Sequence, residues 1–79
     1  MSRKEVFEKL NGIFREVFDD DSIELQESTT AEDIDGWDSL VHITLVAAVE
    51  EEFGFKFKMK DVVSMKNVGD MVSIIEREL

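Results

Sequence analysis

The sequence predicts an all-α protein: a small four-helix bundle of three longer helices and one short helix, with a long loop between helices 1 and 2. Apolar residues recur every three or four positions in several segments, which is the spacing of one helix face. Helix-capping residues precede these segments. The 79 residues include no proline and only four glycines, so little in the chain interrupts a helix. This length predicts a single domain spanning residues 1–79.

The first helix is predicted from about Arg3 to Phe18. Ser2 and Glu5 fit a capping box, in which the serine side chain accepts from the third helical amide and the glutamate reaches back. An apolar stripe follows at helical spacing: Val6, Phe7, Leu10, Ile13, Phe14, Val17 and Phe18. The acids Asp19–Asp21 should end the helix, because negative charge at a helix C-terminus opposes the dipole.

A long connection is predicted over residues 19–38. Ile23 and Leu25 alternate with polar residues, and because no partner strand exists we interpret them as loop anchors that pack on the core. Thr29 and Thr30 precede two acids, which indicates at most one helical turn. A loop of this length in a small domain is often functional.

The second helix is predicted from about Ser39 to Phe53, followed by Gly54, which suits the left-handed position after a helix. Its predicted apolar face consists of Ile43, Leu45, Val46, Val49 and Phe53. Phe55 and Phe57 alternate with lysines, and we expect them to plug the bundle where the chain turns.

The third helix is predicted from about Lys58 to Val63 and the fourth from about Val68 to Glu78. The residues that the short helix is expected to bury are Met59, Val62 and Val63. Asn67 is the predicted N-cap of the last helix. The apolar residues of that helix are Val68, Met71, Val72, Ile75 and Leu79. Strand content is expected to be essentially nil.

The charge of the chain narrows its possible partners. Nineteen acidic residues against nine basic ones leave a net charge of −10. Because nucleic-acid affinity comes largely from Lys and Arg on phosphates, this balance disfavours nucleic acid. It favours partner proteins with basic docking surfaces and speeds their encounter, although solubility alone would also account for it.

Several features predict a cytoplasmic monomer without membrane insertion. No apolar run approaches the roughly 20 residues needed to cross a bilayer. The N-terminal residues Met1–Glu5 lead into an amphipathic segment and do not resemble a signal peptide. The chain has no cysteine, which excludes disulfides and thiolate metal sites. The apolar stripes can satisfy one another within one bundle.

Residues 35–40, Asp-Gly-Trp-Asp-Ser-Leu, place one serine at the start of the second helix. Free N–H groups and a partial positive charge there would favour a phosphate group on Ser39. A nucleophilic serine would need a base and an oxyanion hole. The only histidine, His42, lies about one turn further on, but no third residue orients it. We therefore predict an attachment point and no enzymatic activity.

The acids near this segment resemble a calcium-binding loop only superficially. Asp33, Asp35 and Gly36 fit its opening. Its sixth position would be Asp38 instead of glycine, and its twelfth would be Thr44 instead of glutamate. No metal site is predicted.

Two apolar residues flank the serine. Trp37 either packs the long loop against the bundle near Ser39, the interpretation we favour, or stacks on a ligand. Leu40 either contacts an enzyme that modifies Ser39 or is simply buried, and the pattern leaves both open.

At Asp38-Ser39-Leu40 the chain resembles the acyl carrier protein family, and the match covers essentially the whole length. The matching context includes Gly-Trp-Asp-Ser-Leu at 36–40, Glu-Glu-Glu-Phe-Gly at 50–54 and Asn-Val-Gly-Asp at 67–70. The resemblance implies that Ser39 carries a 4′-phosphopantetheine arm, transferred from coenzyme A by a separate phosphopantetheinyl transferase. Acyl groups would be held as thioesters on the terminal thiol, and the space between the helices could shelter an acyl chain.

The resemblance also implies contact residues for other proteins. Asp38 and Leu40 match the flanks of the family motif and would help the transferase recognise the site. Trp37, Glu50 and Glu51 are further candidate contacts for the transferase or for enzymes that load and process the acyl group.

One departure from the fatty-acid synthesis carriers bears on the pathway. Those proteins have acids at the positions of Val41 and Thr44, which dock basic partner patches. Here only the later acids Glu50–Glu52 remain. A tryptophan before the motif, such as Trp37, is more similar to stand-alone carriers of polyketide, peptide or cell-surface pathways. The hypothesis is a specialised stand-alone carrier in fatty-acid, polyketide or related biosynthesis, and not the housekeeping one.

Two alternatives stay open from the sequence. The first is an aminoacyl or peptidyl carrier, including the D-alanyl type. The second is a helical interaction module that is never modified, in which Ser39 would do no more than cap its helix, at about 1 kcal/mol of stability.

Overall fold

A computed structural model describes residues 1–79 and confirms an all-helical fold without strands. The helices are α1 (Arg3–Val17), α2 (Ser39–Phe53), α3 (Met59–Ser64) and α4 (Val68–Glu78), and a 3-10 turn covers Ala31–Asp33. The bounds differ from the predicted ones by about one residue. Phe18 is the C-cap of α1, and Lys58 is the N-cap of α3. None of these helices has the length and apolar character needed to cross a membrane.

The predicted caps are present and explain where the helices begin and end. Glu5 N donates to Ser2 Oγ at 3.2 Å, and Ser2 N donates to the Glu5 carboxylate at 3.0 Å. Asn67 Oδ1 accepts from Asp70 N at 2.8 Å at the start of α4. Gly54 ends α2 in the left-handed conformation, with a φ of 72°. Residues with a side chain adopt this conformation only with strain, so glycine suits the position.

One core holds the bundle together, and α1 packs against both α2 and α4. Its eleven buried side chains are Val6, Leu10, Phe14, Ile23, Leu25, Leu45, Val49, Val68, Met71, Val72 and Ile75. They come from α1, α2, α4 and the long loop, so α3 contributes none of them. The predicted loop anchors Ile23 and Leu25 are therefore confirmed as core residues.

The predicted apolar face of α2 is wrong at Ile43. Leu45 and Val49 are fully buried, whereas 67% of Ile43 is exposed. The residues from Leu40 to Val49 are apolar on nearly every side of the helix. Spacing alone therefore cannot select the face that packs on α1.

The predicted burial of α3 is also wrong. Met59 and Val63 are 78% and 76% exposed, and Val62 is only half-buried. The buried residue of this helix is Asp61, which accepts from Arg77 Nη2 of α4 at 2.6 Å. The hydrogen bond with Arg77 lowers the pKa of the Asp61 carboxyl. An ion pair, and not an apolar stripe, thus attaches α3 to α4.

The end of α4 differs from the prediction as well. Leu79 is 53% exposed, although the other four predicted apolar residues of the helix are buried. It follows the last helical residue, Glu78, so the chain has already left the face that packs on α1.

Two hydrogen bonds attach the first half of the long loop to α1. Leu25 N donates to Asn11 Oδ1 at 2.7 Å, and Arg15 Nε donates to the Ile23 carbonyl at 2.8 Å. These bonds from α1 satisfy loop backbone groups that would otherwise be buried without partners.

The loop is also bound to the first turn of α4. Val68 N donates to the Thr29 carbonyl at 2.8 Å, and Gly69 N donates to the Glu27 carbonyl at 2.9 Å. The Arg3 guanidinium binds the Glu27 carboxylate at 2.6 and 2.7 Å and so lowers its pKa. The first residues of α1 and α4 therefore meet at the same point of the loop.

Gly69 is the position where this contact allows no side chain. A Cβ atom there would lie 2.8 Å from the Glu27 carbonyl oxygen and 2.6 Å from the Glu27 carboxylate. We expect Gly69→Ala to lower the free energy of unfolding by about 1–3 kcal/mol, because the loop backbone must move. Urea unfolding followed by circular dichroism measures this loss.

Gly12→Ala is the matched control, since nothing lies within 4 Å of a Cβ at this exposed position of α1. It should raise stability by about 0.5–1 kcal/mol, because alanine favours a helix interior over glycine. A Gly69→Ala protein as stable as the control would contradict the close contact between the loop and α4.

Candidate functional site

Ser39 occupies the first position of α2 and is exposed. The preceding residue, Asp38, is the N-cap, and its carboxylate accepts from Val41 N at 2.9 Å. The hydroxyl of Ser39 makes no hydrogen bond within the protein. In the alternative of an unmodified module Ser39 would only cap its helix, and the structure does not give it that role. The cap is Asp38, and the serine hydroxyl is free.

Trp37 connects the end of the long loop to the core. Its ring meets Phe14 edge to face, with centroids 5.2 Å apart and an interplanar angle of 80°. The Phe18 ring is also near, with its centroid 6.1 Å from that of Trp37. The half-buried indole thus packs the loop against the bundle next to Ser39, as the sequence indicated.

A hydrogen bond between Trp37 and His42 was missed by the sequence reasoning. The indole Nε1–H donates to His42 Nδ1 at 3.0 Å, and the two ring centroids are 5.9 Å apart. The spacing of five residues is not a standard helical pair, because Trp37 lies before the helix. The available signal was the presence of the only tryptophan and the only histidine on either side of Ser39.

This hydrogen bond defines the protonation of His42. Because Nδ1 accepts this hydrogen bond, it carries no proton, so the ring is neutral and its proton is on Nε2. Burial lowers the pKa of His42 below its ordinary value, and this favours the same neutral form. No hydrogen bond joins the ring to the Ser39 hydroxyl. A serine–histidine pair needs an unprotonated ring nitrogen that faces the serine. The one unprotonated nitrogen of His42, Nδ1, is bonded to Trp37.

A cleft of about 360 Å³ opens beside Ser39. The side chains that line it include Trp37, Ser39, His42, Met65, Lys66 and Asn67. The cleft therefore lies between the start of α2 and the segment that connects α3 to α4. Its lining combines apolar surface with hydrogen-bond donors and one lysine.

The arrangement suits a phosphodiester on Ser39. The oxygen is accessible, and the first turn of α2 presents free N–H groups and a partial positive charge at this point. Lys66 also lines the cleft, and it forms no ion pair elsewhere in the protein. Nothing at the site deprotonates the serine, so the geometry fits attachment by another protein better than catalysis.

The other predicted contact residues differ in how exposed they are. Leu40 is 75% exposed, so of the two open readings the structure supports an accessible side chain. Glu50 is turned inward, where its carboxylate accepts from Phe57 N at 2.8 Å. Glu51 and Glu52 are exposed at the end of α2. Nowhere do three or more acidic, histidine or cysteine side chains converge as a metal site requires.

The site lies within a region that is similar to known carriers. A family model described as the phosphopantetheine attachment site matches residues 8–75. An acyl carrier protein of Thermotoga maritima is 38% identical over 78 residues, covering 99% of this chain and 96% of that protein. One from Coprothermobacter proteolyticus is 34% identical over 80 residues, covering 100% and 96%.

A solved structure supports the same relationship. The solution NMR structure of a holo acyl carrier protein from Geobacter metallireducens aligns with a TM-score of 0.86 and 43% sequence identity. The alignment covers 91% of this chain and 83% of that chain. Both the helices and the sequence are therefore shared.

The neutral state of His42 predicts a pH dependence of stability. The unfolded chain takes up the proton at a pKa of about 6.5, whereas folded His42 resists it. The contribution of neutral His42 to the free energy of unfolding is therefore complete above that pH, and it is lost as the pH falls through the folded-state pKa. Charged groups lining the same cleft are Asp38 and Lys66. Urea unfolding at several pH values, compared with His42→Phe, measures the effect.

The variant removes the titrating group but keeps a ring, so carboxylate titrations cancel in the comparison. The stability difference between the two proteins should change between about pH 7.5 and 5. Fluorescence of the single tryptophan should change over the same range, because protonation of Nδ1 breaks the bond. A constant difference across that range would contradict the role assigned to His42.

Proposed function

The chain belongs to the acyl carrier protein family, with its phosphopantetheine attachment site, and we propose that Ser39 is the residue that bears the arm. The observation that carries this assignment is a serine hydroxyl that is exposed, unbonded and placed at the first position of α2. Asp38 performs the capping, so esterification of Ser39 leaves the helix start intact. The adjoining cleft offers room for the arm.

When bound, the phosphopantetheine arm supplies the thiol that this cysteine-free chain lacks, and acyl groups are held on it as thioesters. The protein itself orients the arm and does no bond chemistry. Ser39 has no base, because His42 accepts from Trp37 with Nδ1 and carries its own proton on Nε2. A phosphopantetheinyl transferase therefore attaches the arm from coenzyme A, and separate enzymes load and process the acyl group. A cytoplasmic, monomeric state stays a prediction.

The exposed surface around Ser39 suggests how other proteins contact it. Leu40 and Ile43 project from the same side of α2, one turn apart, and both are largely exposed. We assign Leu40 to contact with the transferase, and Trp37 to positioning, since its ring is packed on the core. Glu51 and Glu52 offer negative charge to basic docking surfaces, whereas Glu50 is engaged within the protein.

The pathway proposal is a specialised carrier and not the housekeeping carrier of fatty-acid synthesis. No charged side chain occurs on α2 between Ser39 and Val49, so a basic partner finds an apolar surface beside the attachment point. The partners of this chain should therefore bind that surface mainly by burying Leu40 and Ile43. An aminoacyl cargo remains the alternative, and loading by adenylating enzymes with a panel of acids distinguishes the two.

Intact mass spectrometry tests the attachment residue. The purified protein, incubated with coenzyme A and a broad-specificity phosphopantetheinyl transferase, should gain one phosphopantetheine that maps to Ser39. Ser39→Ala should gain none and change stability by no more than about 0.5 kcal/mol, because Asp38 is the cap. Ser28→Ala, at an exposed loop serine, is the matched control and should be modified normally. Modification of Ser39→Ala would overturn the assignment.

Restoring charge to α2 tests the pathway proposal. A Val41→Asp, Thr44→Glu double variant should be used by a housekeeping fatty-acid synthesis enzyme about tenfold faster at low salt, through electrostatic steering. The gain should shrink at high salt, because exposed charges are screened. The uncharged Val41→Asn, Thr44→Gln variant is the control. Rapid use of the unaltered protein by that enzyme would contradict a specialised role.

A further inference from the structure

The cleft beside Ser39 contains a set of hydrogen-bond donors that the fold itself does not use. Asn67 accepts with Oδ1 from Asp70 N, so its amide N–H groups remain free. His42 accepts with Nδ1 from Trp37, so the remaining Nε2–H is a donor without a partner in the protein. Lys66 adds an ammonium group that makes no ion pair. All three residues line the same cleft.

Trp37 decides that His42 acts as a donor. A free neutral imidazole exchanges its proton between the two nitrogens, and either tautomer could face the cleft. The hydrogen bond from the indole N–H keeps the imidazole proton on Nε2, because only an unprotonated Nδ1 can accept that bond. The hydrogen bond also orients the imidazole, whose plane lies at 24° to that of the indole. Trp37 is therefore a positioning residue for His42.

The chemistry of the arm complements this lining. A phosphopantetheine arm carries one phosphodiester anion and two amide carbonyls, all of which accept hydrogen bonds. It also has an apolar stretch near the phosphate, and Met65, Met71 and Trp37 present apolar surface in the cleft. The cleft volume of about 360 Å³ is that of a small-ligand site. Donors that the fold already holds in place lose less conformational freedom when a ligand binds them.

We propose that the arm on Ser39 rests folded in this cleft, where His42, Asn67 and Lys66 donate to its phosphodiester and amide carbonyl oxygens. The inference rests on Ser39 as the attachment residue. It adds that the unloaded arm is ordered against the protein, through donors specific to this chain, and is not a free tether in solvent. Partner binding must then release the arm from these three donors.

NMR of a labelled arm tests the proposal. Coenzyme A that carries ¹⁵N at both pantetheine amides is transferred to unlabelled protein, and intact mass confirms complete loading. The heteronuclear {¹H}-¹⁵N NOE is then measured for each amide. A resting arm gives a positive value at the amide nearest the phosphate, comparable to the helix backbone, whereas a free arm gives a value near zero or negative.

Variants identify the donors. His42→Phe keeps a ring but no donor, and should remove the positive NOE. His42→Gln places an N–H₂ near the Nε2 position and should restore part of it. Trp37→Phe keeps core packing but loses the indole donor, and should loosen the arm in a folded protein. Lys66→Met should lower the NOE, whereas Lys60→Met, at an exposed lysine that does not line the cleft, should not.

Each outcome decides a different point. Failure to load the labelled arm would count against Ser39 as the attachment residue. Complete loading with a near-zero or negative NOE in the unaltered protein would overturn the resting position and leave the attachment intact. A positive NOE that survives both His42→Phe and Lys66→Met would overturn the assigned donors. Backbone ¹H–¹⁵N spectra of every variant verify that it is folded.

Discussion

The packing of Trp37 on the core is the contact on which the site depends. Trp37 lies at the end of the long loop, two residues before Ser39. Its indole packs edge to face with Phe14 of α1, and its N–H donates to His42 of α2. The end of the loop is therefore attached to both helices next to the serine. Asp38 then caps α2, and the serine is exposed next to the cleft.

Charge in this protein is divided between folding and recognition. Several acids have partners within the fold: Asp61 binds Arg77, Glu27 binds Arg3, and Glu50 accepts from the loop after α2. These acids attach neighbouring elements to one another, and exposed pairs of this kind contribute little stability individually. The net charge of −10 therefore overstates the acidity available to partners near Ser39. That region of α2 is apolar.

His42 connects the fold to the proposed function. Its position one turn after Ser39 made it the one candidate for a catalytic base. The structure does not give it that role, since Nδ1 accepts from the indole and Nε2 therefore carries the proton. A neutral ring with a fixed Nε2–H can donate to a bound acceptor. The same bond that excludes a serine–histidine pair thus creates a defined donor beside the attachment point.

The sequence by itself determined α1, α2 and α4, their caps at Ser2, Asn67 and Gly54, and the serine that the family motif marks, because these signals are local. It did not determine which side of α2 and α3 faces the core: Ile43, Met59 and Val63 are apolar but exposed, and Asp61 is buried. Burial depends on the neighbouring elements, and a uniformly apolar or six-residue helix has no periodicity that selects a face. The bond from Trp37 to His42 and the inward turn of Glu50 were likewise decided only by tertiary structure, since each joins a helix to a loop whose path no local pattern specifies.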